Sequence, residues 1–288
     1  MAGAVGYSPR FLDRRSDRNG GAVLKKKAVF FDVDGTLFDM KYGIPESAKD
    51  AIRKLRKNGH YAFICTGRTG ACLFDEELFA IGFDGMISAC GAYVRYGDEV
   101  LLDYKMPVGK LKRTLDIMNR YRMIPVLEGE EYLYYDRQKL VVEKKDPYMT
   151  YMERVNSEHL SPLPDQIEDM HVKKYCVSLD DIELAQEGLR LLAEEDTIMH
   201  LSPIVKEVVP SQFSKATGME LICRRIGIEM KDTFAFGDSA NDIVMLRAAG
   251  CGIAMGNACR EAKETADYVT AALLDDGIYK GLAHFGLI

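Results

Sequence analysis

Short unbroken apolar runs alternate with amphipathic stretches along this chain, and their order predicts its architecture. Ala28-Val29-Phe30-Phe31 is continuously apolar and stops abruptly at Asp32-Val33-Asp34-Gly35-Thr36, the pattern of a strand buried on both faces of a parallel sheet. After Pro45, Ala48, Ala51, Ile52 and Leu55 recur at i, i+3, i+4 and i+7 until Asn58-Gly59, which predicts an amphipathic helix. Tyr61-Ala62-Phe63-Ile64-Cys65 repeats the strand pattern and ends in Thr66-Gly67-Arg68. Strand, helix and strand of these lengths form a right-handed βαβ unit. The same texture returns near the other end. Ser214 is placed to cap a helix carrying Met219, Ile222 and Ile226, and Thr233-Phe234-Ala235-Phe236 predicts a strand ending in Gly237-Asp238. A helix over 242–249 and a short strand over 252–255 follow.

Between these halves the periodicity changes. Tyr93 to Leu102 reads as a hairpin turning at Gly97-Asp98, and Tyr132-Leu133-Tyr134-Tyr135 as a strand after a turn at Glu128-Gly129-Glu130. Helical patterns near 109–121 and 181–195 and a strand near 172–179 complete a mixed antiparallel unit. The expected fold class is therefore α/β: a doubly wound parallel-sheet core over 25–104 and 199–288, interrupted by an α+β cap over 105–198. Seven tyrosines in the cap, Tyr148 and Tyr151 among them, are expected mainly to fill its core.

Composition narrows the class without deciding it. The 288 residues are 47% hydrophobic and 28% charged, ordinary globular usage. No apolar run approaches the roughly 18 residues of a membrane span, so neither membrane insertion nor secretion is expected. Net charge is −6, yet residues 1–27 hold seven basic side chains against Asp13 and Asp17, which leaves the body strongly acidic. That balance argues against a nucleic-acid surface, whose affinity comes from neutralising phosphates. Residues 1–24 are expected to be a flexible basic leader. None of the seven cysteines forms a Cys-x-x-Cys spacing, which fits a reducing cytoplasm better than a disulfide or zinc framework.

The chemistry is expected where the strands end. In open parallel sheets ligands bind beyond the carboxyl ends of the strands, and three strands here end in polar residues: Asp32 and Asp34, Thr66 and Arg68, and Asp238. Residues i and i+2 of an extended chain point the same way, so Asp32 and Asp34 can share one site. Joined by Asp238, such carboxylates raise one another's pKa unless a cation sits among them. Few carboxylates, with the remaining positions left to water and substrate oxygens, is the pattern of Mg²⁺ at phosphate chemistry.

These segments resemble a known family. Phe31-Asp-Val-Asp-Gly-Thr-Leu37, Ile64-Cys-Thr-Gly-Arg68, Ser214-Lys215 and Gly237-Asp-Ser-Ala-Asn-Asp-Ile-Val-Met-Leu246 are similar to the four ordered motifs of the haloacid dehalogenase-like phosphohydrolases. The insertion between the second and third motifs resembles the Cof-type, IIB branch with its large cap. The resemblance implies a phosphatase acting on a small phosphorylated metabolite, with sugar phosphates the leading substrate class. By it, Asp32 would be the nucleophile and Asp34 the acid and base. Mg²⁺ would be held by Asp32, the Asp34 main-chain carbonyl and Asp238, with Asp242 behind them. Thr66, Gly67 and Asn241 would bind phosphoryl oxygens, Lys215 would neutralise their charge, and Arg68 would reach the substrate or pair with an acidic neighbour. A phosphomutase, or a phospholigand sensor without turnover, are the other readings. One segment departs from the pattern: Ala89-Cys90-Gly91-Ala92 stands where Cof-like members usually carry Asn-Gly-Ala, so Cys90 is expected to alter the site near the cap.

Overall fold

The apolar run Ala28–Phe31 (β1) lies at the centre of an eight-stranded sheet, and every one of its residues is buried. The computed structural model describes residues 25–73, 75–136, 138–140, 152–153, 155, 157–163 and 167–288; the leader at 1–24, Tyr148 and Tyr151 lie outside them. After β1 the chain forms α1 (Glu46–Lys57), β2 (Tyr61–Cys65), the short α2 (Glu76–Ala80) and β3 (Gly85–Ser88). A hairpin of β4 (Tyr93–Tyr96) and β5 (Glu99–Asp103) then adds two antiparallel strands to that edge.

The cap follows: α3 (Val108–Arg120), β6 (Met123–Gly129), β7 (Leu133–Tyr135), β8 (Leu160–Ser161), β9 (Val172–Leu179), α4 (Ile182–Leu192), β10 (Asp196–His200) and β11 (Val205–Pro210). These strands make a second sheet in the order β10-β11-β9-β6-β7-β8. The core resumes with α5 (Lys215–Ile226), β12 (Thr233–Gly237), α6 (Ile243–Ala248), β13 (Cys251–Ala254), α7 (Arg260–Thr265), β14 (Tyr268–Val269) and α8 (Gly277–His284).

The core order is β14-β13-β12-β1-β2-β3-β4-β5. From β1 the chain proceeds to β2 on one side and reaches β12 on the other, so the order reverses at β1 and opens a crevice beyond its carboxyl end. Aromatic stacking fastens the three central strands: Phe30 lies 5.0 Å from Phe63 and Phe31 5.2 Å from Phe236.

The cap differs from its expected limits on one side. Residues 199–210 do not return to the core; β10 and β11 pair antiparallel with each other and β11 with β9. Val205 to Pro210 is buried throughout, so this strand lacks the polar alternation that marks a half-exposed hairpin. Alternation along the cap strands separates two faces. Leu127, Tyr175, Val177 and Val208 pack with Leu111 and Met118 of α3 and Ala185 and Leu192 of α4. Val126, Cys176 and Val205 face the other way and pack with Ala71 and Cys72 of the core. That second face looks onto the crevice. Among the described residues no helix is long and apolar enough to cross a membrane.

Candidate active site

Each polar strand end delivers its side chain to the crevice, and the backbone around it is shaped to do so. Asp32 follows β1 and its amide donates to Phe236 O of β12 at 3.0 Å. Gly35 turns the chain at φ +81°, and a Cβ there would collide with the Asp238 carboxylate, so the turn needs glycine for both space and conformation. Thr36 Oγ1 donates to Asp238 Oδ1 at 2.8 Å, and Asn257 Nδ2 donates to Gly35 O at 2.8 Å. Carboxylate oxygens of Asp32, Asp238 and Asp242 lie within 4.8 Å of one another.

Lys215 closes this cluster from the opposite side. It is the first residue of α5, behind a Ser214–Thr217 capping box, a place where a positive charge opposes the helix dipole. Its side chain is 1% exposed, and the ammonium donates to Asp32 Oδ1 at 2.6 Å, to Asn241 Oδ1 at 3.2 Å and to Asp242 Oδ1. Burial pulls the Lys215 pKa down, but Asp242 and Asp32 outweigh it and the net shift is upward. It stays a cation. Asp32 is pushed well above the usual carboxylate range, by burial first and Asp242 second, against the opposing pull of Lys215. Asp238 is pushed up to about 7, again by burial first and Asp242 second.

Asp242 has a different task from the other two carboxylates. Its Oδ2 accepts from the amides of Asp238 and Ser239, both at 2.9 Å, while Oδ1 takes the Lys215 ammonium. It ties the loop after β12 to Lys215 and has little capacity left for a further ligand. Asn241 Oδ1 is likewise occupied, by Lys215 and by Ser239 Oγ at 2.8 Å, which turns Nδ2, without an acceptor among the described residues, toward Gly67. A Cβ on Gly67 would lie 3.3 Å from Asn241 Nδ2, 3.3 Å from Cys90 Sγ and 3.4 Å from Glu207 Oε1. Thr66, fully buried, accepts from the Arg68 amide at 3.1 Å and keeps its hydroxyl proton to donate.

Arg68 pairs with two acidic neighbours. Nε and Nη2 donate to Asp34 Oδ2 and Oδ1 at 2.8 and 2.6 Å, and Nη1 donates to Asp75 Oδ2 at 2.6 Å. The guanidinium holds the Asp34 carboxylate instead of reaching into the space around Gly67, because a bidentate fork matches carboxylate geometry. The Asp34 side chain accordingly does not join the three clustered carboxylates. Cys90 does enter the site, at φ +53° between Ala89 at +49° and Gly91 at +97°; asparagine tolerates that conformation better than most side chains. A Cβ on Gly91 would strike Ser214 O, so this loop packs directly on the start of α5 and fixes Lys215. Thr36, Asp75, Ser239 and Asn257 were absent from the sequence expectations. Thr36 and Ser239 sit inside quoted motifs, whereas Asp75 and Asn257 carry no local signal.

Residues 29–282 match the family of haloacid dehalogenase-like hydrolases. The chain belongs to that family. Among its relatives is the 5-amino-6-(5-phospho-D-ribitylamino)uracil phosphatase YcsE of Bacillus subtilis, 28% identical over 91% of this chain and 96% of the relative. Of solved structures, the HAD subclass IIB sugar phosphatase BT4131 superposes with a TM-score of 0.78 at 30% identity, covering 91% of this chain and all of that one. BT1666 of Bacteroides thetaiotaomicron gives 0.79 at 27% identity over 99% of this chain and 100% of its own. Membership in this hydrolase family, on its Cof-type IIB branch, makes the chain a phosphohydrolase with a Rossmann-like core and an inserted cap.

The residues fit the metal ion that such phosphohydrolases generally use. Asp32 and Asp238 are hard oxygen donors, each shifted upward by burial first and by Asp242 second, a shift that a divalent cation bound to them would oppose. Gly35 keeps the space beside Asp238 free of a Cβ.

Proposed function

We propose that this hydrolase cleaves small phosphate monoesters, sugar phosphates foremost, in a Mg²⁺-dependent reaction through phosphorylated Asp32. The observation that carries the reading is Lys215, fully buried and bridging Asp32 to Asp242 beside Asp238 at the reversal of strand order. Lys215 holds Asp32 Oδ1, so Oδ2 is the oxygen left to attack phosphorus. The P–Oδ2 bond forms as the P–O bond to the leaving alcohol breaks. Asn241 Nδ2, Thr66 and the backbone at Gly67 donate to the phosphoryl oxygens, and the Lys215 charge offsets what develops on them.

Asp34 supplies the proton to the departing alkoxide and takes one from the water that later attacks the phosphorylated Asp32. Each of the Asp34 oxygens accepts one bond from Arg68 and keeps a second lone pair through which a proton can pass. Asp75 holds the other side of the guanidinium. Mg²⁺, held by Asp32 and Asp238, would supply charge neutralisation for the two carboxylates and the phosphoryl group. Dividing the displacement into two steps suits phosphate monoesters, among the slowest substrates to hydrolyse in water. Hydrolysis within the cytoplasm is part of the same reading.

The test is phosphate release from a panel of sugar phosphates, with and without Mg²⁺, by wild type and Asp32→Asn. Release that needs Mg²⁺ and disappears in the variant supports the reading. Equal release by both proteins would sink the nucleophile assignment, and transfer of the phosphoryl group to a second sugar in place of free phosphate would make the enzyme a mutase.

A further inference from the structure

A second buried lysine lies between two carboxylates, this time in the cap. Lys174 Nζ is 2.7 Å from Glu128 Oε2 and 2.7 Å from Glu207 Oε1, and all three side chains are nearly inaccessible. Glu128 lies directly opposite Lys174 in the β6–β9 pair, and Glu207 opposite Cys176 in the β11–β9 pair. Alternation puts all of them on the face that also carries Val126, Cys176 and Val205 and looks onto the core.

Such a cluster is poorly explained by stability. Removing these ions from water costs several kcal/mol each, and apolar residues of similar volume often serve a fold as well or better. Neighbours on the same face are apolar, so the sheet accepts such residues there. What distinguishes the cluster is its position. Glu207 Oε1 converges with Asn241 Nδ2 and Cys90 Sγ on the space that a Cβ of Gly67 would fill. Cys90 Sγ lies 3.9 Å from the same Glu207 oxygen, and Cys176 Sγ donates to Glu128 Oε1 at 3.1 Å. Glu207 Oε2 accepts from no described residue. An ester whose phosphoryl group sits beside Gly67 and Asn241 therefore has Glu207 as a neighbour.

We propose that Glu128, Lys174 and Glu207 form the roof of the leaving-group site and select by charge: they favour phosphomonoesters whose skeleton carries hydroxyl or ammonium donors and reject those bearing a second anion. This rests on the phosphatase reading above. Two carboxylates against one ammonium leave the roof at −1, and the Lys174 charge is maintained because Glu128 and Glu207 outweigh the effect of its burial. In so dry a setting a carboxylate or second phosphate of the substrate meets an uncompensated like charge, whereas a hydroxyl or ammonium donor satisfies the open Glu207 oxygen.

The experiment compares kcat/KM for three esters with one six-carbon skeleton, glucosamine 6-phosphate, glucose 6-phosphate and 6-phosphogluconate, in the presence of Mg²⁺. Wild type is expected to prefer the first over the last by about tenfold or more. Glu207→Gln, nearly isosteric, and the double variant Glu128→Gln/Glu207→Gln should each lower that preference, the double by about tenfold or more, while Lys174→Met should raise it. Each preference is a ratio within one preparation, so a partly folded variant leaves it valid. A wild type that favours 6-phosphogluconate, or a ratio that stays within about twofold across the variants, overturns the roof. Wild-type hydrolysis of acetyl phosphate, whose leaving group is too short to need the roof, tests the phosphatase reading by itself; absence of that activity would overturn the reading and the roof with it.

Discussion

Core and cap each bury a lysine between two carboxylates, and the two clusters are built by opposite means. In the core, Asp32 and Asp242 approach Lys215 from loops at strand ends, and the backbone of those loops is bound into the arrangement through Asp238 N, Ser239 N and the Ser214 cap. In the cap, Glu128, Lys174 and Glu207 stand on neighbouring strands, Glu128 next to the end of its own, and meet because of the register of those three strands. The first design fixes side chains to about the tolerance that chemistry requires. The second presents a surface whose charge can change while the sheet beneath stays the same. A scaffold that keeps one reaction and varies its substrates gains from that division.

The comparison is broken most easily at the nucleophile. Asp32→Asn should lower phosphate release by at least about 10³-fold, read by steady-state kinetics, because an amide oxygen is a far weaker nucleophile than a carboxylate. Lys215→Met should follow, with kcat reduced by about 10²–10³-fold, the range for a lost electrostatic stabiliser. Lys174→Met should instead alter substrate ranking by about tenfold. If both lysine variants lose kcat equally, the two clusters are not functionally distinct.

The Arg68 clamp gives a smaller effect with a sharper signature. Arg68→Met should reduce kcat/KM by about tenfold to 10²-fold on a sugar phosphate, but less on p-nitrophenyl phosphate, whose leaving group needs little proton assistance. Equal losses on both would show that Arg68 does not act through Asp34.

The pH response of the core cluster is the mildest expectation. Asp238, raised from 3.8 to about 7, holds its proton in the folded chain over a range where the unfolded chain has lost it. Its contribution to stability in Mg²⁺-free buffer is therefore present below about pH 4, falls as pH rises toward about 7 and levels off above. Mg²⁺ takes the place of that proton, so its apparent affinity should weaken by up to about tenfold per unit below pH 7. Thermal unfolding with and without MgCl₂ should show a larger stabilisation at about pH 8 than at about pH 6. An equal or reversed difference would contradict the placement of the ion beside Asp238.

Legibility in the sequence follows the same division. The core was readable because its strands are continuous apolar runs that stop at the functional residue: Phe31 before Asp32, Cys65 before Thr66, Gly237 before Asp238. Lys215 was readable through the resemblance of Ser214-Lys215 to the third ordered motif, and its place at a helix start runs against the dipole. The cap roof was not readable. Val172–Leu179 is buried on both faces, and Lys173 beside Lys174 hides which side each residue takes. Glu207 lies on a strand whose pairing with β9 no local pattern announces, which is also why the expected boundary at 199 fell short of Pro210. The partner of Arg68 was undecidable for a similar reason: Asp34 and Asp75 are equally acidic on paper, and only the fold brings both to one guanidinium.

The most direct measurement is rapid acid quench of wild type turning over a ³²P-labelled monoester with Mg²⁺, followed by trypsin digestion and mapping of bound label. The account predicts a hydroxylamine-sensitive phosphoryl group on the peptide spanning Ala28 to Lys41, at Asp32, appearing before free phosphate and decaying as phosphate accumulates. Phosphate released with no label on that peptide at any time, or label on another residue, would contradict it.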